Sequence, residues 1–249
     1  MMKILKFTKK KDGMYSLLLE DNDLLIVHED LILKYGLLLH KEISDEDREK
    51  IEEENLSYTA KTVALKYITI RYRSVKELRE YLSKKGVNKD IIENVIKDLK
   101  NEGYLNDDSF AKMFIHDKIN LSMDGPYKIR RELSSFGISE EIINNNIDLF
   151  TDDIQIEKIN KIIDKQIKTN HNKSNYILKN KILNFLNNNG YDSTLSIKVY
   201  EGKSISSDKD IAKKEYDKLY KKLSNKYSGN ELEYKIKQKM YQKGFGSFE

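Results

Sequence analysis

The sequence predicts a mainly α-helical protein in which tandem three-helix repeats form an elongated curved array after a small N-terminal β-meander. The main observation is a recurring pattern of two apolar residues four positions apart, followed by a glycine and another apolar residue. Its glycines stand 51, 53 and 54 residues apart, at Gly86, Gly137, Gly190 and Gly244. Apolar residues four apart share one helix face, and glycine supplies the left-handed residue that ends a helix. Recurrence at a near-fixed period indicates a repeat array rather than one large core.

The composition agrees with thin helical layers. The 249 residues are 35% charged and 39% hydrophobic, with one proline and eleven glycines. Such a chain is too charged for one thick core, but it suits stacked helices that each bury a single stripe.

Residues 1–55 are predicted to form a β-hairpin or three-stranded meander followed by short helices. The dipeptide Asp12-Gly13 separates two apolar segments and is a strong hairpin signal. A short helix is expected over residues 30–35. Ser44 is expected to cap an acidic helix that ends near residue 54.

Three-helix repeats are predicted at 56–106, 107–150 and 151–203, with a partial fourth repeat at 204–249. We name the helices of each repeat A, B and C. In repeat 1, helix A is expected over about residues 57–71. Helix B begins at Ser74, whose spacing to Glu77 is that of a capping box, and Asn88 caps helix C. In repeat 2, the only proline, Pro126, lies in the first turn of helix B.

Charge and cysteine content limit the possible environments. The net charge is +4, from 45 basic and 41 acidic residues, so attraction to a polyanion must come from local clustering. The absence of cysteine excludes disulfides and thiolate metal sites and fits a reducing cytoplasm. No apolar run approaches the roughly 18–20 residues that span a bilayer, and the N-terminus resembles no signal peptide. We therefore expect a soluble cytoplasmic protein without membrane contact.

Signatures of catalysis and of cofactor binding are missing. The chain has neither a GxxxxGK[ST] phosphate loop nor a G-x-G-x-x-G turn. Metal-ligand spacing is absent among the four histidines, which are His28, His40, His116 and His171. The acidic pairs Asp107/Asp108 and Asp152/Asp153 stand at helix starts, where capping and the helix dipole explain them. We expect a protein that is not an enzyme and needs no cofactor or metal.

Three segments of the first two repeats resemble the RecX family of regulatory proteins. They are Arg71-Tyr-Arg-Ser-Val-Lys-Glu-Leu, then Gly103-Tyr-Leu-Asn-Asp-Asp-Ser-Phe-Ala, then Gly125 with Ile129-Arg-Arg-Glu-Leu and Phe136-Gly-Ile. The match covers about residues 60–140, and the β-rich extension with further repeats resembles the longer RecX proteins of low-GC Gram-positive bacteria. Asn106 stands where the family more often has Asp, and both residues cap helices.

The resemblance implies a modulator of the RecA recombinase. Proteins of this family lie in the helical groove of the RecA–single-strand DNA filament, and in most cases they restrain its ATPase and strand exchange. A role in homologous recombination, DNA repair and the SOS response is therefore implied, with the RecA nucleoprotein filament as partner. We expect the chain to act as a monomer.

The arginines are few and clustered, since five of the six lie in the first two repeats. Arg79 and Arg130 are equivalent, each directly after the first core residue of helix B, and Arg71 aligns with Lys118. Stacked repeats would place such residues in a row that suits a long charged partner. The candidate contacts with acidic filament surface or DNA phosphates are Arg71, Arg73, Lys76, Arg79, Lys118, Lys128, Arg130 and Arg131. The alternative is a set of solvated faces with acidic partners one helical turn away.

Other functions stay open from the residues alone. The same basic row suits a general single- or double-stranded DNA-binding protein, and a structural adaptor for another protein is a further alternative. Sequence-specific DNA reading by helix C is disfavoured, because helix C of repeat 2 begins Ser139-Glu-Glu and would repel phosphates. Tyr72 lies between two arginines and could stack on a base, although tyrosine at helical spacing is more often a core residue.

Overall fold

The computed structural model describes residues 1–170, 173–205 and 207–246, and within these ranges it contains thirteen helices and four strands. The elements, in chain order, are β1 (Met2–Lys9), β2 (Met14–Leu19), β3 (Leu24–His28), α1 (Glu29–Lys34), α2 (Leu37–His40), β4 (Glu42–Ile43), α3 (Asp45–Thr69), α4 (Val75–Lys84), α5 (Lys89–Asn101), α6 (Asp107–Leu121), α7 (Pro126–Ser135), α8 (Glu140–Ile147), α9 (Asp152–Thr169), α10 (Asn175–Asn188), α11 (Ser193–Glu201), α12 (Lys209–Leu223) and α13 (Gly229–Gln242). The mainly helical class with an N-terminal β element is confirmed.

The N-terminal strands form one antiparallel sheet in the order β3-β2-β1-β4. The predicted hairpin is confirmed, and Asp12 and Gly13 both adopt the left-handed conformation that an Asp-Gly turn tolerates (φ 63° and 71°). The predicted three strands gain a fourth, β4, which pairs with the start of β1. The sheet buries Leu17 and Val27 completely against neighbouring helices.

One long helix replaces the two that the sequence predicted between residues 44 and 71. Ser44 caps α3 as expected, accepting a hydrogen bond from the Asp47 N–H at 3.0 Å. The expected break near residue 55 is wrong, because α3 contains neither glycine nor proline and continues to Thr69. Its N-terminal half contributes Ile51 to the core under the sheet, and its C-terminal half contributes Ala64 to the core of repeat 1. A single helix therefore serves two cores.

The repeats are built from the helices that follow. Repeat 1 consists of the C-terminal half of α3 with α4 and α5, repeat 2 of α6 to α8, repeat 3 of α9 to α11, and the partial fourth repeat of α12 and α13. The repeat boundaries drawn from the sequence stay a proposal. The chain divides into two compact units, Met1–Phe110 with Phe136–Ile138, and Ala111–Ser135 with Ser139–Glu249.

The predicted helix signals of the first two repeats are confirmed. Ser74 and Glu77 form both hydrogen bonds of a capping box at the start of α4. Asn88 caps α5 and Ser139 caps α8. Pro126 is the first residue of α7, where its missing N–H costs nothing.

Each helix B ends on a glycine in the left-handed conformation. The φ angles lie between 76° and 83°, at Gly86, Gly137, Gly190 and Gly244. A second constraint acts on the last three glycines, because each lies against the first turn of helix B in the preceding repeat. We call this contact the glycine seam. A Cβ added to the glycine would meet Lys76 Cβ at 2.9 Å from Gly137, Lys128 Cβ at 2.7 Å from Gly190, and Ser174 Oγ at 2.6 Å from Gly244.

Hydrogen bonds complete the seam within the second unit. Between repeats 2 and 3, the Gly125 N–H donates to the Asn189 carbonyl (2.7 Å) and the Tyr127 N–H donates to the Gly190 carbonyl (3.0 Å). Between repeat 3 and the fourth repeat, the Ser174 hydroxyl donates to the Lys243 carbonyl (2.8 Å). Backbone groups therefore pair directly across the seam, and a side chain in place of Gly190 would separate them.

An aspartate at the start of the next helix A satisfies the first N–H of helix B. The Val75 N–H donates to Asp107 (2.9 Å), and the Asn175 N–H donates to Asp208 (2.9 Å). These N–H groups have no acceptor inside their own helix. Pro126, the corresponding residue of repeat 2, has no N–H and needs no such acceptor.

Gly190→Ala should destabilise the protein more than Gly86→Ala does. Both glycines have φ near 80°, so alanine costs about 1–2 kcal/mol at either position. Nothing lies within 4 Å of a Cβ at Gly86, whereas a Cβ at Gly190 would overlap Lys128 and come closest to its backbone nitrogen. Because backbone atoms cannot rotate away, we expect an additional loss of about 1–3 kcal/mol. Urea unfolding followed by circular dichroism would measure both variants, and equal losses would show that the seam is not tightly packed.

Candidate functional site

Arg71 and Arg73 converge on one carboxylate in the first unit. Glu77 Oε1 lies 2.6 Å from Arg71 Nη2 and 3.3 Å from Arg73 Nη1. The other oxygen of Glu77 accepts the Ser74 N–H at the start of α4 (3.1 Å). Glu77 therefore ties both arginines to the helix start that enters the repeat core.

Arg73 has an internal role. Its guanidinium carbon lies 4.1 Å from the centre of the Tyr67 ring, which stacks on Tyr81 at 3.9 Å. The Arg73 side chain is only 14% exposed. It is thus less available to a partner than the sequence predicted, and its stacking on Tyr67 holds α3 against α4.

Arg79 and Arg130 connect helix B to helix C in the same way. Arg79 binds both oxygens of Glu93 (2.7 and 3.0 Å), and this hydrogen bonding raises the pKa of Arg79 and lowers that of Glu93. Arg130 donates to Asn144, which like Glu93 lies 14 residues after its arginine, and to Glu140 at 3.3 Å. Arg79 and Arg130 thus occupy equivalent places and each has one carboxylate on helix C, Glu93 for Arg79 and Glu140 for Arg130.

Lys118 and Lys128 share Asp124 in the second unit. The ammonium nitrogens lie 2.8 and 2.5 Å from its two oxygens, and Lys118 also pairs with Glu132 at 2.6 Å. Asp124 is 9% exposed. Burial alone would raise the pKa of Asp124, but the hydrogen bonds from the two lysines outweigh burial and keep the pKa below its ordinary value.

Lys158 belongs to the same region and was not predicted. It is buried in α9 and donates to the Ser122 carbonyl at 2.8 Å, and burial lowers its pKa. Tyr191 is buried as well and donates to the Met123 carbonyl at 3.2 Å. These bonds fasten the α6–α7 connection to repeat 3. The sequence carries no signal for this, because Lys158 stands between polar and apolar residues as an ordinary helix lysine would.

The remaining candidates, Lys76 and Arg131, are exposed. Lys76 lies 3.9 Å from Glu80, a distance at the limit of an ion pair. Arg131 forms no ion pair within the part of the chain that the structure describes. It is therefore the arginine whose charge is least compensated within the protein.

An exposed aromatic surface surrounds Arg71, and we call Ile70, Arg71, Tyr72 and Tyr104 the Arg–Tyr surface. These residues line a pocket of about 430 Å³ between the end of α3 and the α5–α6 connection. Tyr72 is 56% exposed and Tyr104 63% exposed. Tyr72 is thus not a core residue, and the general preference of tyrosine for core positions does not apply to it.

The described residues contain no group of three or more histidines, aspartates and glutamates that could hold a metal ion; His171 lies outside them. Over the same ranges, no helix has the length and apolar character needed to cross a membrane. Helix C of repeat 2, α8, begins with two glutamates and has no basic residue in its last turn.

Comparison with known proteins gives consistent results. Residues 60–99 match the family model of the first three-helix domain of RecX, and residues 106–145 match that of the second. The protein named "Regulatory protein RecX" in Streptococcus sanguinis (strain SK36) is 30% identical, over 98% of this chain and 95% of that protein. Its namesake in Streptococcus agalactiae serotype III (strain NEM316) is 33% identical over the same shares.

Solved structures of similarly named proteins share the fold. A crystal structure of regulatory protein RecX aligns with a TM-score of 0.70 and 22% identity, over 81% of this chain and all of that one. The crystal structure of RecX from Lactobacillus salivarius aligns with a TM-score of 0.57 and 25% identity, over 59% of this chain and 96% of that one. The tandem three-helix architecture is therefore the architecture of these structures.

Asp124→Asn should lower the stability of the fold at neutral pH, and it should make that stability less dependent on pH in the acidic range. The unfolded pKa of aspartate is about 3.9, and in the folded protein the pKa is lower. The stability that Asp124 contributes is therefore fully present above about pH 4 and is lost as the pH falls through the folded pKa. We expect a loss of about 1–3 kcal/mol at pH 7 and a smaller further loss between pH 5 and 2 than in the parent protein.

Urea unfolding at several pH values measures both effects. Asp148→Asn changes an exposed carboxylate at the end of α8 and is the matched control. If Asp124→Asn and the parent protein lost stability in parallel below pH 4, the lysine contacts of Asp124 would not stabilise the fold.

Proposed function

Because the chain belongs to the RecX family, we propose that it regulates the RecA recombinase by binding the RecA–single-strand DNA filament. The proposed regulation is negative and acts on the ATPase and strand exchange of the filament during recombinational repair and the SOS response. The proposed location is the cytoplasm, and no catalytic step is assigned to the chain. The main support is the match to regulatory proteins named RecX over 98% of its length.

The Arg–Tyr surface supports a protein partner. Tyrosine and arginine supply much of the binding energy at protein interfaces, especially when they surround a pocket that a partner side chain can fill. Tyr72 and Tyr104 stand exposed on either side of such a pocket, and Ile70 adds apolar area. We propose that this surface contacts the protein part of the filament.

The ion pairs of the candidate basic residues favour protein over bare DNA. Seven of the eight have a carboxylate within 4 Å among the described residues, and they are Arg71, Arg73, Lys76, Arg79, Lys118, Lys128 and Arg130. Binding to phosphates alone would require these pairs to break, and few counterions would be released in compensation. A protein surface that offers both charges could accommodate the pairs intact.

This protein should bind naked single-stranded DNA differently from the same DNA coated by RecA in the presence of a slowly hydrolysed nucleotide. We expect preference for the coated DNA that survives physiological salt. Equal binding to both, falling steeply as salt rises, would instead identify a general DNA-binding protein. Binding to neither would leave an adaptor for another protein.

Arg79→Ala and Glu93→Ala should separate partner binding from internal structure. Both variants break the same ion pair, so an internal role predicts equal effects on filament affinity. If Arg79 contacts the filament, Arg79→Ala should weaken binding about tenfold or more. Glu93→Ala should leave affinity unchanged or increase it, because it frees the guanidinium. Fluorescence anisotropy of labelled filaments measures both, and equal weakening would remove Arg79 from the interface.

Tyr104→Ala should weaken filament binding by about tenfold or more, because truncation of a hot-spot tyrosine lowers affinity. The stability of the fold should not fall, because the Tyr104 ring is largely exposed to solvent. Tyr241→Ala removes an exposed tyrosine from α13 and is the control. Inhibition of RecA ATPase is the second measurement. Equal inhibition by the two variants would exclude the Arg–Tyr surface as the contact.

A further inference from the structure

An open apolar groove lies between α3 and the α4–α5 connection in the first unit. Its volume is about 540 Å³, and its lining includes Leu56, Ala60, Val63, Gly86 and Val87, with Lys85 beside Gly86. A Cβ placed on Gly86 would have no other atom within 4 Å, so the groove is open at this glycine. An exposed apolar groove of this kind commonly marks an interaction site.

The groove corresponds, residue by residue, to the covered face of repeat 2. Ala64 aligns with Ala111, both fully buried, so Ala60 corresponds to Asp107 and Val63 to Phe110. In repeat 2 the first turn of α4 covers this face: Asp107 accepts the Val75 N–H, and a Cβ on Gly137 would overlap Lys76. Repeat 1 has the same face, but the described chain places no helix B before it.

The first turn of a helix B fits this groove. Helix α13 is such a helix, and its first turn lies against no other repeat in the part of the chain that the structure describes. Helices α10 and α13 both begin three residues before their first core residue, which is Leu178 in α10 and Leu232 in α13, so Ser228 corresponds to Ser174 and Glu231 to Ile177. The Ser228 side chain forms no capping hydrogen bond, and a Cβ on Gly229 would meet nothing within 4 Å. In α10, the corresponding Ser174 donates across the seam.

We propose that the first turn of α13 in one copy docks into the groove of a second copy, so that the glycine seam continues from chain to chain. By analogy with the bond from Ser174 to Lys243, the Ser228 hydroxyl would donate to the Lys85 carbonyl. Glu231 would face Lys85, whose ammonium has no carboxylate partner within the described ranges. The contact is head-to-tail, and repetition gives open chains rather than closed dimers.

This contact is weak between free copies, which reconciles it with the predicted monomer. One helical turn in a groove buries much less than the roughly 1,000 Å² typical of stable interfaces. The seams inside the chain benefit from covalent connection, which is equivalent to about millimolar local concentration. End-to-end association is therefore expected at high concentration, or where a common partner holds copies side by side. The proposal does not depend on that partner being RecA.

Disulfide trapping tests the contact, because the sequence has no cysteine and each variant then carries a single thiol. Ser228→Cys and Lys85→Cys, both at exposed positions, are mixed at about millimolar concentration under mild oxidation. We expect the mixed disulfide to exceed the two symmetric ones well beyond random pairing. Lys165→Cys, exposed on α9, replaces Lys85→Cys in the control mixture. Random proportions would overturn the proposal and leave the groove to a helix of another protein.

Charge reversal at the docking turn gives an independent measurement. Glu231→Lys, in the Ser228→Cys background, is mixed with Thr59→Cys, which places the thiol at an exposed position of the groove lining and leaves Lys85 unchanged. The reversal then opposes two positive charges at the contact and should reduce the mixed disulfide about tenfold. Glu233→Lys is the matched control, since Glu233 is exposed on the same helix two residues later. Circular dichroism confirms that each variant is folded. Equal yields from the two reversals would exclude the predicted orientation of α13 in the groove.

Discussion

The repeats depend on one close approach, that of a helix end to the first turn of a helix in the preceding repeat. The approach leaves no room for a side chain, since a Cβ on Gly190 would overlap Lys128. The same residue must also be left-handed to end its own helix (φ 83°). Glycine meets both requirements, and the backbone bond from Tyr127 to the Gly190 carbonyl then forms directly. The glycine period of the sequence therefore records the contact between repeats as well as the end of each helix.

A second recurring contact joins helix B to helix C. In repeats 1 and 2, an arginine of helix B bonds to polar side chains of helix C near the protein surface. Arg79 with Glu93 and Arg130 with Asn144 occupy the same place in two repeats. These contacts within the protein thus explain why the few arginines cluster in these repeats. The residues that these pairs leave available to the proposed partner include the Arg–Tyr surface and Arg131.

Local signals made the fold predictable, and long-range contacts made parts of it unpredictable. Ser74, Asn88 and Ser139 each act within one helical turn, so their capping roles could be inferred from spacing alone. The continuity of α3 could not, because its two halves bury different faces in two cores and show no single apolar stripe. Lys158 is buried and donates to a carbonyl 36 residues earlier, a contact that no local pattern encodes.

The connection between helices A and B carries the strongest indication of function. In repeat 1 it exposes Ile70 and Tyr72, and in repeat 2 it exposes Leu121 and Met123. Neither pair is needed to cover a core, and large apolar side chains left in water at equivalent places of two repeats suggest a partner that reads the repeat itself. The basic residues beside them, Arg71 and Lys118, are held by carboxylates of their own units. Apolar contact flanked by compensated charge is typical of protein recognition, and it therefore supports the proposed protein partner over DNA alone.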